Sequence, residues 1–164
     1  MSTLRCYLPL DLQQLEALQS QRRIEGPLPA FAVTGALRAE RPSADQEEWE
    51  YAALQQAAEV QLRRGSPVVV AAADLAEGDT DVVAGEGEER GSGAVTVGAV
   101  DLPRVAALHV GDDVVTGDAG ALGSVGADGA GGAGGDAAEV ELSWYDTTEL
   151  AHVIELVLGL TDRG

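Results

Sequence analysis

At 164 residues the chain has the size of one domain, enough to bury a hydrophobic core without disulfides or a structural metal. Its formal charge of −18, from 28 acidic and 10 basic residues, argues against nucleic acid and anionic membrane surfaces as partners, because both would repel it at long range. The single cysteine, Cys6, precludes an internal disulfide, and the longest clean apolar run, residues 68–73, is far too short to span a bilayer, so a cytoplasmic chain is expected.

In chain order, residues 5–9 read as a first strand stopped by Pro9. Asp11 with Gln14 three residues on is a capping box opening a helix that buries Leu12, Leu15 and Leu18. Residues 22–29 read as a turn region, residues 30–34 as a short strand and 35–41 as a helical turn. The clearest helix is expected to start at Ser43, boxed with Gln46, and to stop at Gly65, with Arg63 and Arg64 at the negative end of its dipole. Trp49, Ala53, Ala57 and Val60 form one apolar stripe on it; Tyr51, Leu54, Ala58 and Leu62 form a second, which predicts cover from two sides.

The apolar run 68–73, ending at Asp74, suits a central strand buried on both faces, reached by a helical crossover and hence in a parallel step. Residues 94–100 and 104–110 read as strands joined through Leu102 and Pro103, with His109 facing away from Leu108 and Val110. Val140, Leu142 and Trp144 alternate with polar neighbours as a half-buried strand does. Asp146 and Glu149 then box a last helix with Leu150, Val153, Ile154, Val157 and Leu158 on its apolar side. Residues 76–93 and 111–139 carry −11 of the charge and 15 of the 21 glycines, a composition that predicts flexible acidic loops. The expected fold is α/β or α+β: a single domain over 1–164, with a mixed sheet of about five to six strands packed against about three main helices.

The patches at 5–10, 31–34 with Ala36, Leu37 and Arg38, 47–54, 68–72 and 142–145 resemble an uncharacterised actinobacterial family of small proteins with no assigned function. The likeness spans nearly the whole chain. It implies a single domain and brings no catalytic residue; the family's alanine-rich helical segment is replaced here by the glycine-rich stretch 117–135.

Chemistry-bearing motifs are sparse. With no lysine there is neither a Walker A loop nor a Schiff-base amine, and no serine sits in a GxSxG elbow. Residues 129–134 fit GxGxxG, but a strand follows them where a dinucleotide site needs a helix. Residues 131–136 match one calcium-binding nonapeptide turn without the neighbour that would share an ion. Asp79, Asp81, Glu86 and Glu88 lack EF-hand spacing, so no metal and no cofactor is expected. His152 reads as an exposed helical histidine near Thr148 and Glu155, and Cys6 as a small core side chain.

The candidate catalytic set is Asp74, His109 and Asp112, at the ends of two strands, where open sheets bind ligands; it would serve a small hydrolase or metal-dependent enzyme. The candidate binding set is Tyr51, Leu54, Trp144 and Tyr145, aromatic and apolar anchors beside polar neighbours, for which ordinary core is the plainer role. The leading expectation is a non-enzymatic protein-binding or regulatory module; the alternatives are that enzyme or a homodimer contacting itself through the second helix stripe.

Overall fold

The protein is described by a computed structural model covering residues 2–82, 92–118 and 139–163. The capping signals act as the sequence predicts. Strand β1 (Thr3–Pro9) runs into Asp11, whose carboxylate accepts the Gln14 N–H at 2.8 Å while the Gln14 side chain accepts the Asp11 N–H at 2.9 Å, and α1 (Leu12–Ser20) begins there. A short β2 (Arg23–Ile24) and β3 (Leu28–Ala32) follow. Thr34, expected inside that strand, instead caps α2 (Gly35–Glu40) through its hydroxyl.

Helix α3 (Gln46–Arg64) starts three residues later than expected. Asp45 caps it by accepting the Glu48 N–H at 2.9 Å, because the chain just after Pro42 is taken up by a turn that the Ala44 N–H closes on Arg41. Gly65, at φ +69°, ends it in the left-handed conformation that glycine adopts without strain. The two-stripe expectation is corrected. Ala53, Leu54, Ala57, Ala58 and Gln61 form one broad buried face, with Tyr51 and Leu62 exposed at its rims, so among the described residues α3 is covered from one side only.

Beyond α3 come β4 (Val69–Ala76), β5 (Thr80–Val82), β6 (Ala94–Val97), β7 (Val100–Asp101), β8 (Val105–Gly111), the short α4 (Asp112–Thr116), β9 (Leu142–Tyr145) and α5 (Leu150–Arg163). Seven strands form one sheet in the order β5-β6-β3-β1-β4-β8-β9, and β2 pairs with β7 in a separate ribbon. Every described pairing is antiparallel. The predicted parallel step is therefore split: β3 and β4 run the same way, but β1 lies between them and hydrogen-bonds to both, so the fold is α+β.

The 76–93 stretch is structured at its start, where a 3-10 turn at Glu77–Asp79 leads into edge strand β5. Residues 111–118 likewise hold the end of β8 and α4. The remainder of both predicted loops, the two glycine motifs, Glu86 and Glu88 lie outside the described residues.

Side chains alternate across the sheet into two cores. On one face Cys6, Leu8, Val69, Ala71 and Leu108 pack beneath α1 and α5. On the other, Tyr7, Phe31, Val70 and Ala72 pack beneath α3. Residues 68–73 are buried throughout, as predicted for a strand dry on both faces. Cys6 is fully buried, and burial pushes its thiol up to about 11, which leaves it an inert core side chain. On α5 the buried set ends with Leu160, while Leu158 stands exposed.

Asp113, in the first turn of α4, is buried at 6% exposure. One carboxylate oxygen accepts the Val68 N–H at 3.2 Å, and the other lacks a partner of normal geometry among the described residues. Burial raises its pKa above 3.8, opposed by backbone N–H groups. The native chain then holds a proton that the unfolded chain has lost, so stability falls as pH rises from 3.8 towards the folded value and levels off above it. Urea denaturation across that range should show the fall in the wild type and its loss in Asp113→Asn, which keeps an acceptor for Val68. Asp113→Ala strands that N–H and should cost about 1–3 kcal/mol.

Candidate functional site

Helix α3 lies over β3, β1 and β4, and the β8–β9 end of the sheet extends beyond it on the same face. The flank of α3 and that end, which no described helix covers on this face, bound an open cleft of about 360 Å³. Tyr51, Leu54 and Gln55 come from α3, His109 from β8, and Glu139 to Trp144 from the segment leading into and through β9.

Gln55 builds the wall of this cleft. Its side-chain oxygen accepts the Val140 N–H at 2.8 Å, and its side-chain nitrogen donates to the Val140 carbonyl at 3.0 Å, so one amide pairs with residue 140 as a neighbouring strand would. Tyr51 adds a second tie, its hydroxyl donating to the Glu139 carboxylate at 2.9 Å. Burial and the bond to Glu139 raise the Tyr51 pKa, so its phenol stays protonated and donating.

His109 stands opposite Val70 on one side and Trp144 on the other in the β4–β8–β9 ladder, so it faces α3 together with Trp144. Its ring meets Tyr7 edge-on at 6.4 Å between centroids. Burial, and then the positive charge of Arg5, lower its pKa below 6.5, so it is neutral at physiological pH. Burial pushes the Tyr7 phenol up to about 12. Trp144 is 62% exposed and Tyr51 44% exposed, two large aromatic surfaces facing water at one cleft.

The structure separates the predicted catalytic set. β4 and β8 are neighbours, but they run antiparallel, with Val70 opposite His109 and Val69 opposite Val110. Asp112 therefore follows the end of β8 that lies beside the start of β4, while Asp74 lies near the other end, four residues and roughly 13 Å along β4 from the partner of His109. Asp74 is also engaged by Arg5 of β1, with Nε to Oδ1 at 2.7 Å and Nη2 to Oδ2 at 3.1 Å. Among the described residues no group of three His, Cys, Asp or Glu side chains could hold a metal ion.

Of the predicted binding set, Tyr51, Leu54 and Trp144 meet at the cleft; Leu54 is core at 7% exposure and forms its back. Tyr145 points to the opposite face, against the α1–α5 core and 6.1 Å from the His152 ring, as the two-residue period of a strand requires. Gln55, Glu139 and Val140 were not among the candidate site residues: the helix pattern leaves Gln55 to water, and Val140 was named only for the alternation of its strand. No local signal places Gln55 against a residue 85 positions away.

A family model described as a family of unknown function (DUF6912) matches residues 4–154. The chain belongs to that family. The resemblance read from the sequence is thus shown at the level of a domain of unknown function, and the matched span contains the whole cleft. No curated protein and no solved structure matches the chain.

Two outcomes are expected at this site. Gln55→Ala leaves both backbone groups of Val140, itself only 5% exposed, without their partners, and should lower stability by about 1–3 kcal/mol while speeding amide exchange at Val140. Because folding lowers the His109 pKa, its contribution to stability is complete above 6.5 and is lost as pH falls through the folded value. His109→Gln should flatten that part of the stability–pH curve measured by thermal unfolding.

Proposed function

We propose that the chain is a cytoplasmic, non-enzymatic module that binds a protein partner at the cleft between α3 and β9. The observation that carries this reading is the pair of exposed aromatic rings, Trp144 and Tyr51, at a cleft whose walls are fixed by the Gln55 clamp. Tryptophan and tyrosine are the side chains that most often dominate interface energies, and a rigid wall reduces the ordering entropy lost on binding. β9 ends the sheet order among the described residues, and there its outer edge offers backbone groups that a partner segment can pair with.

The hydrolytic reading draws less support, since Asp74 is bound to Arg5 and lies well along the sheet from His109. Self-contact through the second helix stripe also draws less, since Leu54 and Ala58 are spent on the monomer core.

The test is capture from native cytosol with the full chain, comparing wild type, Trp144→Ala and a control, Leu158→Ala, which alters an exposed apolar residue on α5. A stoichiometric partner should be held by wild type and control. Loss of an anchor of about 2 kcal/mol should weaken its binding to the Trp144 variant roughly thirtyfold. Equal capture by all three overturns the reading.

A further inference from the structure

The partner chemistry can be read from the polar groups left available in the cleft, an argument that rests on the binding reading above. Glu139 and Glu141 line it, and among the described residues no arginine does. Both polar atoms of the Gln55 amide are committed to Val140. Arg5, whose charge acts on His109, is tied to Asp74 through two bonds. An anion entering here would meet two carboxylates, so the cleft selects against it. A cation would meet both carboxylates and the faces of two aromatic rings, with Leu54, Val140 and Leu142 behind them for an apolar stem.

We propose that this cleft receives an arginine side chain of the partner, its guanidinium between the Glu139 and Glu141 carboxylates and against the Trp144 and Tyr51 rings. Arginine suits the site better than lysine, because its planar group stacks on aromatic faces and bonds carboxylates in a fork, and it sheds water more readily than an ammonium. Glu139 keeps one carboxylate oxygen beyond the one that accepts from Tyr51, so the Tyr51 bond orients an acceptor without using it up. The chain's charge of −18 adds long-range attraction for a basic segment.

The chain supplies its own control for the test. It has two tryptophans: the Trp49 indole N–H is tied to the Arg41 carbonyl at 2.9 Å, with Arg38 over its ring at 5.5 Å, whereas Trp144 faces the cleft. Two-dimensional NMR on the full chain follows both indole N–H signals during titration with blocked tripeptides Ala-Xaa-Ala, where Xaa is arginine, lysine or the uncharged isostere citrulline. The arginine probe should move the Trp144 signal saturably while Trp49 stays still. Binding should be at least tenfold weaker with citrulline, weaker with lysine than with arginine, and at least tenfold weaker for Glu139→Gln/Glu141→Gln, in which residue 139 can still accept from Tyr51.

An unmoved Trp144 signal, or equal shifts from arginine and citrulline, overturns the proposal; equal shifts from lysine overturn the guanidinium assignment. If the arginine probe fails while partner capture still depends on Trp144, only the arginine chemistry falls. If capture is indifferent to Trp144, the binding reading itself falls.

Discussion

Residues 68–73 impose the constraint from which the rest of the structure follows, since all six are buried and the stretch they form has no wet face. Each buried valine there contributes roughly 1.5–3 kcal/mol relative to leaving it in water, provided both sides of the sheet are covered. Helices α1 and α5 cover one side and α3 the other. The small side chains Ala71 and Ala72, one on each face, leave little bulk between β4 and its covering layers. The alanines of α3, Ala53, Ala57 and Ala58, match that on the helix side. Close approach replaces large side chains as the source of contact area, which is how a chain with 4% aromatic residues builds two cores.

That close seat makes α3 a rigid reference for the cleft, and glutamines help to lock it in place, Gln56 among them by accepting the Gly93 N–H at 2.8 Å. Gln61, at 2% exposure, donates to the Leu10 carbonyl at 2.7 Å, which joins the helix to the chain just past β1. One and a half turns earlier, Gln55 clamps Val140 and so draws the segment before β9 against the same helix. Both bonds satisfy backbone groups that burial would otherwise leave at a cost of about 1–3 kcal/mol each. The cleft is thus a consequence of width: three strands fill the footprint of α3, and β8 and β9 continue past it.

Signals carried within a few residues were legible in the sequence. The Asp11–Gln14 and Asp146–Glu149 boxes, the Gly65 stop and the doubly buried 68–73 run all stand where the sequence puts them. What failed depended on distant neighbours. The parallel step was lost because β1, from the start of the chain, inserts between β3 and β4, and nothing in residues 28–76 encodes that. Edge strand β5 was read as loop, since three polar-flanked residues gain their order only from β6. The site was half legible. Tyr51, Leu54 and Trp144 were named for their own chemistry, but their meeting at one cleft, and the parting of Asp74 from Asp112, are matters of register.

An exposed tryptophan on an edge strand suits self-association as well as partner binding, and the charge around β9 is what favours the second in the reading proposed above. Glu139, Glu141 and Asp146 flank the strand, so a second copy pairing edge to edge would bring these carboxylates towards their own kind. Like charges so placed repel more strongly as surrounding water is displaced, whereas a basic segment reverses the sign of the same term. The neutral state of His109 fits this arrangement, since a protonated imidazole in the cleft would offset the Glu139 and Glu141 carboxylates that line it. Burial, and then the nearby charge of Arg5, lower its pKa, and Arg5 is held by Asp74. Asp74, which sequence spacing suggested as part of a catalytic edge, is instead taken up by Arg5 through two hydrogen bonds.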